Sequence, residues 1–292
     1  TGGNISIYTK PTEGFVEGGS FSSVNGALGF MLRDGTVNLA STGNDWTMFA
    51  LYTSISLLKC RAANVMAATR VVVFGDTPTK PYGTLDLNGY NQTVAGVDHG
   101  CYNKTRVYDH SETYYGTITS AVPATLTAAG TPSMYFDGSG PKTFNPTNSV
   151  KYRGQVSLTI TNDPSVVTTL INMKSDTTGS LKVQQGRLVL AWGAGWMATT
   201  NVVVSGGVLQ VEEESAPYAF GGVGSMACMH ITGSGKLQLD GGQTVVYALS
   251  LGEKYLAPGI YGGSAAGLDP AHTLSCITGS GTLKAKTNGS PN

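Results

Sequence analysis

Ser180–Val211 reads SLKVQQGRLVLAWGAGWMATTNVVVSGGVLQV, and its apolar residues fall into four alternating pairs: Leu181/Val183, Leu188/Leu190, Val202/Val204 and Leu209/Val211. The step from Leu181 to Val202 equals the step from Leu188 to Leu209, so the first pair returns as the third and the second as the fourth. Side chains two apart on a strand share a face, so each pair is one inward-facing unit. A strand–turn–strand unit with a fixed 21-residue return is what a chain winding into a β-solenoid displays. Met229/Ile231 and Leu237/Leu239 continue the series at a longer step, which leaves EEESAPYAFGGVGSMA (212–227) as an expected projecting loop.

The pattern extends upstream. MAATRVVVFG (Met66–Gly75) matches MATTNVVVSG (Met197–Gly206), in the other half of the chain, at seven of ten positions. Lys59–Thr69 has helix-forming composition and no Gly or Pro, yet the recurrence assigns the region to strands and turns. GTLDLNGYNQTVAGV from Gly83 is echoed by GKLQLDGGQTVVYAL from Gly235, each with two leucines in alternation and then an Asn-Gly or Asp-Gly turn. Such a turn wants residues that accept a positive φ. Strand candidates before and between the copies are Ile5–Tyr8, Gly29–Leu32, Thr36–Leu39, Gly116–Leu126, Met134–Asp137 and Val156–Thr161.

Composition agrees with an all-β chain. Charged residues are 12% of 292, about half the ~25% of an ordinary domain, and the 40 glycines are about double the average share. Eighteen basic residues balance eighteen acidic ones, so no net field draws nucleic acid or an anionic membrane. No apolar run approaches the ~20 residues that span a bilayer, so this segment is not expected to insert. The opening TGGNISIYTK is expected to be a processed or truncated N-terminus.

GTLDLNGYNQTVAGV, SGGVLQV, GSGKLQLDGG, YLAPGIYGG and the late GSGTLKA resemble the β-strand repeats of bacterial autotransporter passengers and related exported β-helix proteins. The resemblance covers residues 50–100 and 180–287. It implies a single right-handed parallel β-helix displayed outside the cell, and is nearly silent on activity.

The expected layout is an irregular strand-rich segment at 1–45 serving as cap or assembly piece, a β-helix over 46–287 with loops projecting at 98–116 and 212–228, and a tail at 288–292.

Candidate chemistry is sparse. Asp98, His99, Asp109 and His110 form two successive Asp-His pairs in DHGCYNKTRVYDH, a set that can hold a divalent metal if the loop brings the pairs together. The competing reading is a polar loop with no metal. Glu212 and Glu214 would share a strand face and flank a sugar as glycoside cleavage requires, against the plainer reading of a solvated acidic turn. Tyr108, Tyr114, Tyr115 and Tyr135 gather in the least repetitive region, and Trp192 and Trp196 share one connection. Those aromatics offer stacking faces for a glycan, or alternatively cover the flank of the solenoid. Cys60, Cys101, Cys228 and Cys276 lack CxxC spacing, which argues against a zinc site. Proximity in sequence pairs Cys60 with Cys101 and Cys228 with Cys276, and buried free thiols are the alternative. No cofactor motif is present.

The expected function is therefore a non-enzymatic extracellular structural protein, a surface-layer or filament component. A glycan-binding adhesin and a polysaccharide lyase or hydrolase are the alternatives. Open strands at both ends, NISIY and GSGTLKA, with no net repulsion, point to a homo-oligomer or head-to-tail polymer.

Overall fold

The computed structural model describes residues 3–8, 15–17, 28–42, 44, 48–51, 56–75, 83–99, 116–135 and 141–289. The chain forms two compact units, Thr1–Val156 and Ser157–Asn292. The boundary lies inside the strand Lys151–Asn162. Both units are all-β with largely parallel sheets. Among the described residues the helical segments are single 3-10 turns at Gly222–Gly224 and Ser264–Ala266.

In the second unit the spacing of the apolar pairs is the pairing register itself. Leu181 lies beside Val202 and Val183 beside Val204, while Leu188 lies beside Leu209 and Leu190 beside Val211. The padded repeat keeps step, with Val202 on Met229 and Leu209 on Leu237. All eight residues of the four pairs are fully buried, and each such side chain contributes about 1.5–3 kcal/mol on leaving water.

Three sheets share the chain there. One contains Leu181–Gln185, Asn201–Val204, Cys228–Ile231 and Gln243–Leu251; the second contains Val167–Ile171, Arg187–Ala191, Val208–Val211, Lys236–Leu239 and Ile277–Thr278. Lys174–Ser175 pairs with Gly195–Trp196 in the third. Visiting three sheets in turn and returning in parallel is consistent with a β-solenoid. The turn between the first two sheets needs glycine because strands stack there backbone on backbone. A methyl group at Gly207 would stand 2.6 Å from the Gly186 carbonyl oxygen.

Residues 212–227 depart from the projecting loop expected of them. Ser215, Ala216, Ala219 and Phe220 are buried, and the Trp196 backbone N–H donates to the Ala219 carbonyl. The segment folds inward because APYAF (216–220) carries enough apolar surface to extend the third side of the repeat.

The late strands depart as well. Thr282–Thr287 pairs in parallel with Gln243–Leu251, and Gly259–Gly262 lies antiparallel on its other side. The expected open edge at GSGTLKA is therefore covered by GIYG. Gly263 continues the cover over the second sheet, close above the Ile277 carbonyl.

In the first unit a five-stranded parallel sheet joins Gly3–Tyr8, Leu28–Asp34, Met48–Leu51, Val71–Phe74 and Gly96–His99. A second parallel run joins Phe15–Glu17, Thr36–Leu39, Leu57–Cys60, Thr84–Asp86 and Thr117–Gly130. Strands before residue 45 thus pair directly with strands after it. Asn88 and Gly89 make the expected turn with φ of 52° and 83°, and the Asn88 amide donates to the Cys60 carbonyl at 3.0 Å.

Candidate functional site

The outer face of the second sheet of unit 2 carries the best-defined polar array. Alternation that sends Leu188, Leu209 and Leu237 inward sends their neighbours outward, and register then stacks those neighbours. Arg187 lies beside Val208 and Val208 beside Lys236; one column over, Val189, Gln210, Gln238 and Thr278 follow one another. Arg187 Nη1 donates to Gln210 Oε1 at 2.6 Å and to Gln238 Oε1 at 2.8 Å. The two glutamines in turn donate from Nε2 to one Asp240 oxygen each, at 2.6 and 2.7 Å. Arg187 and Asp240 are thus joined through two neutral amides rather than by an ion pair. Sequence reading passed over these four residues. Their signal lay in the same repeat register, read at the positions flanking each inward pair.

A second feature lies on the third side, where Lys174 Nζ sits 3.8 Å from the centroid of the Tyr218 ring. Tyr218 is 40% exposed, and one ring face is taken by the ammonium in a cation–π contact.

Of the expected aromatics, Trp196 is fully buried and its indole N–H donates to the Gly179 carbonyl at 3.3 Å. It is a core residue and has no face for a sugar. Trp192 is half-buried at a corner with φ of 53°. The backbone of Tyr135 ends the short strand Ser133–Tyr135. Tyr108, Tyr114 and Tyr115 lie outside the described residues.

The expected metal set is only half in view, since Asp109 and His110 also lie outside the described residues. Asp98 and His99 are buried in the strand Gly96–His99. The Asp98 carboxylate accepts the His99 backbone N–H at 2.7 Å, and His99 Nδ1 accepts the Ser149 backbone N–H at 3.1 Å. That bond occupies one of the two ring nitrogens a metal would use. Beside them Asn148 donates from Nδ2 to the Val97 carbonyl at 3.0 Å. Among the described residues no three His, Cys, Asp or Glu side chains gather as a metal site would require.

The acidic run corrects another expectation. The strand ends at Val211, and Glu213 and Glu214 lie in a turn closed by Ser215 and Ala216 N–H bonds to the Glu212 carbonyl. Glu212 and Glu214 therefore share no strand face, and the paired-carboxylate geometry is not made.

Cys60, Cys228 and Cys276 are free thiols, and Cys101 lies outside the described residues. The Cys228–Cys276 bridge is not formed because the two residues serve different sheets: Cys228 opens a strand of the first, and Cys276 directly precedes Ile277–Thr278 of the second. Burial and the Asp86 carboxylate push the Cys60 thiol far above its ordinary range, and burial also raises Cys276.

Two histidines complete the picture. His230 Nδ1 lies 2.8 Å from Ser250 Oγ, but that hydroxyl donates to the Gly252 carbonyl at 3.2 Å. Ser250 thus accepts Nδ1–H and is not activated for attack. Burial lowers the His230 pKa. His272 Nδ1 lies 3.0 Å from both Asp269 oxygens, and its ring packs 5.5 Å from that of Tyr261.

Comparisons with protein-family models, with curated proteins and with solved structures returned no match.

Proposed function

We propose that the chain is a non-enzymatic, exported structural module, built as a single right-handed parallel β-helix of the kind its repeats resemble and displayed at the cell surface. The observation that carries this reading is how the outward polar side chains are used. They bond to one another across stacked strands: Arg187, Gln210, Gln238 and Asp240 in unit 2, and in unit 1 Lys59 with Asp86 at 3.4 Å and Arg61 with Asn38 at 2.7 Å. Polar groups spent in this way hold register between repeats, which is work a scaffold needs.

Self-association is narrowed by the same reading. A copy stacking on the end that carries Gly259–Gly262 would meet an antiparallel strand, which breaks the parallel register such stacking needs. Head-to-tail growth is therefore not proposed at that end.

The test is localisation. Cells producing the protein are probed with labelled antibody before and after permeabilisation, and equal signals are expected. A signal that appears only after permeabilisation sinks the exported reading.

A further inference from the structure

Arg187 is held in an unusual way for an outward cation. Both Nη1 hydrogens go to amide oxygens of two different strands, which fixes the plane of the guanidinium. Among the described residues nothing meets its Nε or Nη2, and neither atom is shut away from water. The Nε–Nη2 edge is the fork that grips a carboxylate through two parallel N–H···O bonds. An arginine serving only the fold would lay that fork on a carboxylate of the protein. Here Asp240, the compensating charge, is reached through Gln210 and Gln238 and leaves the fork open.

The surroundings say what such a carboxylate is attached to. Val208, half-buried, lies between Arg187 and Lys236 in one column, whose outer members are about 10 Å apart from the strand spacing. Lys236 is exposed, and its Nζ meets only the Ser275 carbonyl, at 3.4 Å, among the described residues. Alongside run the amides of Gln210 and Gln238 and the hydroxyl of Thr278. A small apolar spot at Val208, bordered by the guanidinium where Gln210 and Gln238 hold it and by the Lys236 ammonium on the next strand, with amide and hydroxyl groups alongside, suits a ring with an apolar face, hydroxyls on its rim and a carboxylate.

We propose that the outer face of this sheet binds an acidic saccharide, with a uronate carboxylate on the Nε–Nη2 edge of Arg187, the sugar ring over Val208, and the next carboxylate at Lys236. This goes beyond the structural reading and does not depend on where the protein is displayed. Rigid presentation of the fork lowers the ordering cost of binding.

Calorimetric titration of the whole chain tests it with three probes: oligogalacturonate, its methyl ester, and poly-glutamate. Oligogalacturonate is expected to bind, more weakly as salt rises. The ester, which keeps the rings and loses the charges, binds at least about tenfold more weakly, as does Arg187→Lys, which keeps the charge and loses the fork. Lys236→Gln lies outside the amide network, leaves the melting temperature unchanged and lowers affinity a few-fold. If Arg187→Lys melts early, Lys236→Gln and the ester carry the test. Equal binding of the ester, no effect of Lys236→Gln, or no binding of oligogalacturonate at millimolar concentration overturns the proposal. Equal binding of poly-glutamate overturns the saccharide assignment and leaves a general anion patch.

Discussion

Met66–Gly75 and Met197–Gly206 share seven of ten residues, yet they live in different surroundings. In Val71–Phe74 all four side chains are buried; in Asn201–Val204 burial alternates, with Val202 and Val204 inward and Asn201 and Val203 half-exposed. The three valines are identical in the two copies. What differs is the layer outside. In unit 1 Gly96 lies beside Val71, and the rings of Pro146 and Pro132 fill the space a side chain would take there, so the face that carries Val71 and Val73 is covered as well. The ninth position records the difference, with Phe74 fully buried where Ser205 is half-exposed. An apolar alternation thus states which face is inside and leaves open whether the other face is also covered.

The sharpest way to break this comparison is to place a charge at the middle valine of each copy, Val72 and Val203. Val72→Asp buries a carboxylate with no partner and is expected to cost about 3–5 kcal/mol, enough to unfold unit 1. Val203→Asp is expected to cost under about 1 kcal/mol. Chemical denaturation of both variants decides, and similar losses would show that the two copies are equivalent after all.

The tenth position gives a smaller effect. A methyl group at Gly206 runs into the Gln184 carbonyl, whereas Gly75 holds φ of 68°. Gly206→Ala is expected to lose about 1–3 kcal/mol through overpacking. Gly224→Ala, which meets nothing within 4 Å, serves as the control and should melt with the parent.

Thiol chemistry separates the units without mutation. The thiolate is the reactive form, so Cys60, with its pKa pushed far up by burial, should resist alkylation until unit 1 unfolds. Half-buried Cys276 should react slowly in the native protein. Mass spectrometry of pulse-labelled protein reads both, and fast native labelling of Cys60 would mean that the first unit opens readily. A reductant should leave the melting temperature unchanged.

The smallest expected effect concerns pH. The hydrogen bond from His272 is the largest of the influences that hold the Asp269 carboxyl below its usual range. A depressed carboxylate contributes order that is fully present above its unfolded pKa and is lost as pH falls through the folded value. Exchange of the Gly262 and Leu274 amides, which bond the 268–274 turn to Gly262, should therefore accelerate below about pH 4. In Asp269→Asn that acid dependence should vanish; if it persists, the turn is held by something else.

The inward residues of unit 2 were legible because strand alternation and the regular return of the pairs both report on the same thing, a stacked apolar column. The Asn88–Gly89 turn was legible from its φ requirement. The Arg187 array was not, since Gln210 and Gln238 look like ordinary polar positions until register stacks them. Neither was the inward fold of 212–227, where glutamates at one end masked the buried Ala219 and Phe220. Trp196 misled because a turn position says little about depth. The placement of GIYG outside TLKAKT escaped as well, because hydrophobic alternation carries no information on the order or direction of neighbours in a sheet.

That placement has a consequence in time. Thr282–Thr287 sits between Gln243–Leu251 and Gly259–Gly262, both of which precede it in the chain. It is a keystone, set last between stones already laid. Until residues 282–287 have been synthesised, Gly259–Gly262 lacks the strand it lies against and the Gln243–Val246 edge stays open. A nascent chain halted at residue 281 therefore presents the very surface that the finished protein hides.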